Sequence, residues 1–124
     1  MTAYYNEIDP DAIAVLHEFM RMGVIAPGKI DTRSIKDVQP NDLDGFNQCH
    51  FFAGAGIWSV SARLAGWPDA RPLWTASCPC QPFSVAGQGA EENDPRHLWP
   101  DLLRLLRARR PVVCVGEQVA GEAG

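Results

Sequence analysis

No run of apolar residues in this 124-residue sequence approaches the ~18 that a membrane-crossing helix needs, so a transmembrane class is excluded at the outset. Residues 1–6 lack the basic segment and following apolar stretch of a secretory signal, and a cytoplasmic setting is expected. Positive charge is also in short supply. Eleven Lys and Arg face 15 Asp and Glu, a net charge of −4, which supplies no general attraction to DNA. Any nucleic-acid contact must then come from a local patch or from a partner chain. The four cysteines, Cys49, Cys78, Cys80 and Cys114, do not show the even loop spacing of a disulfide scaffold, and reduced thiols are expected. Cys78 and Cys80 form a Cys-x-Cys pair, but no second pair stands at zinc-site spacing, so no metal is expected. Internal repeats and low-complexity segments are absent. What remains is 46% hydrophobic and 21% charged, the balance of one globular domain spanning residues 1–124. A domain of this length buries roughly two thirds of its unfolded surface.

The pattern along the chain alternates. Residues 3–7 read as a strand, followed by Asp9-Pro10 as helix cap and first turn. Ile13, Leu16, Phe19 and Met20 then recur at helical spacing up to Gly23. Residues 29–35 read as a second strand with its edge loop, and 39–42 as a turn-rich connection. The apolar run 48–53 is the clearest strand. It runs into Gly54-Ala55-Gly56, with a helix predicted over 58–65 and stopped by Gly66-Trp67-Pro68. A fourth strand, 72–77, enters a proline-rich loop that continues to about residue 96. Leucines at 98, 102, 103, 105 and 106 mark an amphipathic helix ended by Pro111, before a fifth strand over 112–115. This alternation predicts an α/β fold, an open and mostly parallel sheet with helices on its faces. Arg104, Arg107, Arg109 and Arg110 form the one dense basic cluster, read as a solvated helix face and end.

Several residues carry candidate chemistry. The Gly54-Ala55-Gly56 turn is suited to close approach by a nucleotide-like ligand, and equally to a tight turn with no ligand. Glu7 stands at a strand end where an acid accepts from ribose hydroxyls, or is a surface carboxylate. Asp31 could receive an adenine amino group, or start a turn. Cys80 is the sharpest candidate. Pro79 and Pro82 hold it in a rigid loop at a carboxyl strand end, where open α/β sheets place their active sites. A thiolate there would be a nucleophile, and Glu117, after the fifth strand, would meet it on the same rim as an acid. Cys78 reads as a small strand-end hydrophobe. A thiol oxidoreductase using Cys78 and Cys80 lacks the helix-start context of Cys-x-x-Cys sites.

Residues Pro79-Cys80-Gln81-Pro82-Phe83-Ser84 resemble, without a mismatch, the active-site loop of the cytosine-C5 DNA methyltransferase family of phage and bacterial type. Asp94-Pro95-Arg96-His97-Leu98 is similar to the family's Asp-x-Arg-x-x-Leu stretch. Gly116-Glu117-Gln118-Val119 is similar to its Glu-Asn-Val motif, with Gln118 in place of Asn. Phe52-Ala53-Gly54-Ala55-Gly56 resembles the donor-binding Phe-x-Gly-x-Gly, with Ile57 where a further glycine is usual. Asn6-Glu7-Ile8-Asp9-Pro10 resembles the ribose-binding motif and Ile30-Asp31 the adenine-contacting one. The resemblance implies a Rossmann-like methyltransferase core that uses S-adenosylmethionine. Cys80 would add to C6 of a cytosine flipped out of DNA, and Glu117 would hold and protonate the ring at N3. Phe52, Gly54, Gly56, Glu7, Ile8, Asp31 and Pro79 would line the donor site, with Gln81, Pro82, Phe83, Ser84 and Arg96 in the active-site loop.

Two departures accompany it. The ribose and adenine motifs precede the Phe-x-Gly-x-Gly motif, which implies a permuted strand order. If crossovers stay right-handed, the helix over 58–65 would move to the opposite face from normal. The family's Gln-x-Arg-x-Arg motif, target-recognition domain and C-terminal helix have no counterpart, so a core that is truncated, or completed by a second polypeptide supplying target recognition, is expected. A non-catalytic, methyltransferase-derived binding or regulatory module is the competing reading.

Overall fold

The computed structural model describes residues 2–78 and 98–117. Five strands, β1 (Ala3–Asn6), β2 (Gly28–Asp31), β3 (Gln48–Phe51), β4 (Leu73–Ser77) and β5 (Cys114–Glu117), form one sheet in the order β2-β1-β3-β4-β5. Every neighbouring pair is parallel. Three α-helices, α1 (Pro10–Arg21), α2 (Ile57–Leu64) and α3 (Trp99–Arg109), complete the α/β architecture expected of the sequence. Among the described residues, no helix is long and apolar enough to cross a membrane.

Local sequence explains the element boundaries. Asp9 caps α1 by accepting from Ala12 N, and Pro10 takes the first turn, where its missing N–H is no loss. The connection from β2 to β3 holds no α-helix. Two 3-10 turns, Ile35–Asp37 and Pro40–Leu43, take its place. The second strand stops at Asp31, and the rest of the predicted strand-and-loop run leads into the first 3-10 turn, which Ser34 caps by accepting from Lys36 N. The fifth strand is displaced along the chain. It begins at Cys114, and Val112, predicted to open it, is 88% exposed ahead of it. Glu117 is accordingly the last residue of β5, not a residue beyond the strand, and pairs laterally with Ser77.

Alternation along the strands divides the core into two layers. Tyr4, Cys49, Phe51, Trp74 and Ala76 face Leu98, Leu102 and Leu105 of the α3 segment, together with Ile35, Val38 and Leu43 of the 3-10 turns. Ala3 and Tyr5 face Leu16 of α1, with Val60 of α2 packed on the same cluster. The second layer is partly polar. Tyr5 donates to Ala26 O at 2.7 Å and to Ser59 Oγ at 3.1 Å, and its ring stacks on His50. His50 in turn bonds Thr75 Oγ1 at 2.6 Å and Gln48 Oε1 at 3.1 Å. Among the described residues no buried side-chain nitrogen or oxygen lacks a hydrogen-bond partner, as burial demands.

The two-layer arrangement answers the question of hand. From β1 the chain crosses over α1 to β2, and from β3 it crosses over α2 to β4, in the opposite direction along the sheet. Both helices lie on one face, so the two crossovers have opposite hands. The α1 unit, the 3-10 connection and the α3 unit share one hand, leaving β3-α2-β4 as the exception. Since about 98% of such crossovers are right-handed, the exception is the left-handed one. The expected move of this helix to the other face does not occur. Gly56 explains why α2 stays with α1: a Cβ there would lie 3.1 Å from Leu16 Cδ2 and 3.2 Å from Ile25 Cγ2, so the helix start seats directly on α1 and its exit loop.

Candidate active site

A parallel sheet aims all its carboxyl ends at one rim, and here that rim carries Asn6 and Glu7 after β1, Asp31 ending β2, the 52–56 turn after β3, Cys78 after β4 and Glu117 ending β5. Departures from β1 and β3, the adjacent central strands, go opposite ways. The crevice between their ends is therefore the topological switch point where open α/β sheets bind ligands.

The residues at that point are tied together. Glu7 Oε1 accepts from Gly54 N at 2.7 Å, across the crevice, while Oε2 accepts from Ile8 N and Asp9 N at 3.0 Å each. Ala53 N donates to Asn6 O at 3.0 Å and Gly56 N to Ala53 O at 2.9 Å. This tight course needs left-handed backbone at Phe52, Gly54 and Gly56, at φ of 52°, 57° and 84°. For Phe52 that conformation is unusual, and its ring packs against the Tyr4 and Phe51 layer. A Cβ at Gly54 would meet nothing within 4 Å: its face is open.

In front of the turn lies a cleft of about 200 Å³, lined by Asn6, Glu7, Ile8, Ser34, Ile35, Phe52, Ser77 and Leu98. Four apolar walls and four polar ones suit a nucleoside, with an apolar slot for a flat base and acceptors for its sugar. A second hollow, of about 320 Å³, opens between α3 and the ends of β4 and β5, lined by Ala76, Cys78, Trp99, Leu102, Leu106, Cys114, Gly116 and Glu117. The two are joined through the sheet. Ser77, in the wall of the first, is the lateral partner of Glu117, in the wall of the second. Ser77 Oγ is further held by Trp58 Nε1 at 2.8 Å, which ties the start of α2 to the end of β4.

Of the residues singled out in the sequence, Glu7, Ile8 and Phe52 line the first cleft and Glu117 lines the neighbouring hollow, while Gly54 is tied to Glu7 and Gly56 seats against Leu16 and Ile25. Asp31 stands on the rim but outside the cleft lining, with burial and a chain of donors around its carboxylate. Pro79, Cys80, Gln81, Pro82, Phe83, Ser84 and Arg96 lie outside the described residues. Asn6, Ser34, Ile35, Ser77 and Leu98 were not singled out by sequence. Asn6 carried a signal as the neighbour of Glu7 in the same motif, and Leu98 as the last residue of the Asp94–Leu98 motif. Among the described residues no group of three His, Cys, Asp or Glu side chains comes together as a metal site.

Fold and cleft define an open, all-parallel α/β protein with a cleft at the switch point of its sheet. Residues 68–121 match the family model of C-5 cytosine-specific DNA methylase, a span that includes both Cys80 and Glu117. The chain is 38% identical over 99 residues to the Type II methyltransferase M.HgiBI of Herpetosiphon aurantiacus, covering 78% of this chain and 21% of that protein. It is 42% identical over 53 residues to the Type II methyltransferase M.HgiCII of the same organism, covering 42% of this chain and 12% of the relative. It belongs to the cytosine-C5 DNA methyltransferase family, and spans between an eighth and about a fifth of the length of these relatives. No solved structure matches the chain.

Proposed function

We propose that this chain carries the catalytic core of a DNA cytosine-C5 methyltransferase, with S-adenosylmethionine bound at the β1–β3 crevice and Cys80 as the nucleophile. The observation that carries the reading is the juxtaposition of a nucleoside-sized cleft with Glu117 through the Ser77–Glu117 pair, on the rim from which the Cys80 loop departs. S-adenosylmethionine would supply an activated methyl group. Glu7 fits its ribose. A carboxylate accepts about four hydrogen bonds and Glu7 uses three on backbone, which leaves one acceptor direction beside the cleft. Ile8, Ile35 and Phe52 offer apolar walls for the adenine, and Gly54 leaves open space where any side chain would stand.

On the DNA side, the target ring must leave the base stack before C5 and C6 can be reached. The hollow beside Glu117 has room for a pyrimidine. In this reading Glu117 holds and protonates N3, which makes C6 electrophilic, and the Cys80 thiolate adds there. C5 then takes the methyl, loses its proton, and the Cys80–C6 bond breaks to restore the ring. DNA is the proposed substrate, and a second polypeptide supplying target recognition the proposed partner. The acidic balance of the chain supports that partner, since phosphate contacts need cations it does not have in excess.

The test is adduct formation with DNA carrying 5-fluorocytosine, whose fluorine blocks release of the enzyme. With donor and the target-recognition partner present, the wild-type chain is expected to give a denaturant-resistant complex that Cys80→Ser does not form. An adduct that survives Cys80→Ser would overturn the assignment. Donor binding with no methyl transfer would favour the non-catalytic module.

A further inference from the structure

We propose that Trp58 is a positioning residue for methyl transfer: its indole N–H holds Ser77, and through Ser77 it sets the donor cleft against the hollow beside Glu117. The inference rests on the reading of these two spaces as the donor site and the base site.

Ser77 is the residue the two spaces have in common. It lines the donor cleft, and its lateral partner in the sheet is Glu117, which lines the neighbouring hollow. Cys80 follows it by three residues in the chain. A shift at Ser77 would therefore change how donor and target ring face each other. Group transfer is sensitive to such errors, since a misplacement of roughly 1 Å can cost about 10²-fold in rate.

The sheet gives Ser77 little support. The β3–β4 ladder ends at the Phe51–Ala76 pair, one residue short of it. On the other side stands β5, an edge strand whose four residues are all exposed. Pairing with Glu117 thus joins Ser77 to the least covered strand of the sheet. The one side-chain hydrogen bond of Ser77 among the described residues is the one its Oγ accepts from Trp58 Nε1 at 2.8 Å. An indole N–H only donates, so the bond has one sense and is lost with either partner.

Trp58 is anchored well enough to act as the fixed end. It is the second residue of α2, in the turn that follows Gly54 and Gly56. Gly54 N is bonded to Glu7 Oε1 across the crevice, and Gly56 seats against Leu16 and Ile25. The next residue, Ser59, is buried, and its Oγ accepts from Ala26 N at 3.0 Å and from Tyr5 OH at 3.1 Å. The first turn of α2 is thereby tied to β1 and to the segment before β2. One short stretch, 54–59, then links the donor turn to the carboxyl end of β4.

Methyl transfer in a single turnover, with labelled S-adenosylmethionine, DNA and the target-recognition partner, tests this beside calorimetric titration of S-adenosylhomocysteine. Thermal unfolding establishes that each variant is folded at the assay temperature. Trp58→Phe keeps a ring in place and loses the N–H. It should slow transfer roughly fivefold or more while donor affinity changes by less than about twofold. Ser77→Ala should slow transfer to a similar extent, and the double variant little further, because both changes remove one bond. Unchanged transfer in Trp58→Phe would overturn the proposal. Equal losses of affinity and rate, the mark of a bond that only stabilises the cleft, would do the same, as would additive losses in the double variant. If Trp58→Phe fails to fold, Ser77→Ala carries the comparison of rate with affinity. Wild type that transfers no methyl group would instead overturn the catalytic reading, and the positioning role with it.

Discussion

Two carboxylates on one rim differ in what their oxygens touch: Glu7 is held by backbone N–H groups, Asp31 by Arg33 and Tyr4. Burial alone would push the Asp31 carboxyl up, but the hydrogen bonds from Arg33 and Tyr4 outweigh it and hold the group at about 2. A depressed carboxylate contributes stability that is complete above its unfolded value near 4 and is lost as pH falls toward 2. Acid unfolding of Asp31→Asn should therefore be less steep over that window, as read by circular dichroism from pH 5 to 2. His50 works in a higher window. Burial pushes its imidazole down to about 4, from an ordinary value of 6.5, because its stack on Tyr5 and its bonds to Thr75 and Gln48 provide no counter-charge. The unfolded chain gains a proton below pH 6.5 that the folded chain does not accept until near 4. Stability should then fall by about 3 kcal/mol between those pH values. Urea unfolding at pH 7 and pH 4.5 should show the drop in wild type, and a smaller one in His50→Gln. An equal drop in both would contradict the role given to this histidine. Only part of each pairing is local: Arg33 and Gln48 stand two residues from Asp31 and His50, but Tyr4 and Thr75 come from 27 and 25 positions away and were not legible in sequence.

At the scale of elements, the glycine turn and the helix it starts carry the arrangement. Gly54 and Gly56 both have positive φ, but only Gly56 is crowded. Gly56→Ala should cost more than the ~1 kcal/mol of backbone strain alone, because Leu16 and Ile25 must also give way. Gly54→Ala should cost only about that strain, since its methyl group would meet nothing. Denaturant unfolding of the two variants checks the order, and a larger loss for Gly54→Ala would contradict it. Hydrophobic periodicity sufficed to find every strand and α-helix, because a buried face is a local pattern. It misplaced β5 by two residues. There the cue was non-local: pairing of Cys114 with Trp74 and of Glu117 with Ser77 starts and ends the strand. The hand of the β3-α2-β4 crossover was also beyond sequence. A general rule predicted the opposite face, and the fit of Gly56 against α1 overrides it.

For the molecule as a whole, the motif order in the chain and the order of strands in the sheet are separate matters. Motifs that occur out of the usual sequence still converge on one rim, because parallel strands share a direction whichever is made first. The basic cluster lies at the other end. The run of α3 back to the start of β5 puts Arg107, Arg109 and Arg110 at the amino edge of the strands, and Arg109 is paired with Asp44. With a net charge of −4, the chain by itself should bind duplex DNA weakly, with a salt dependence corresponding to no more than about two released counterions. A steep salt slope in fluorescence anisotropy would contradict this and remove the need for a partner. The cleft was legible in outline, since the motifs that hold Glu7 and Phe52 are short and contiguous, whereas the Cys80 loop lies outside the described residues. The walls supplied by Ser34, Ile35, Ser77 and Leu98 were not, because ordinary residues become a surface only when five separate segments meet.

The claim that most depends on the structure is that Glu7, bridged to Gly54, organises a donor site at the crevice between β1 and β3. Calorimetric titration of S-adenosylhomocysteine into wild type and Glu7→Gln tests it most directly. The account predicts saturable binding by wild type and at least a tenfold weakening in Glu7→Gln with the fold intact, because the amide leaves one acceptor where the carboxylate gave two. Equal affinity in the two proteins, or no binding by folded wild type, would contradict it.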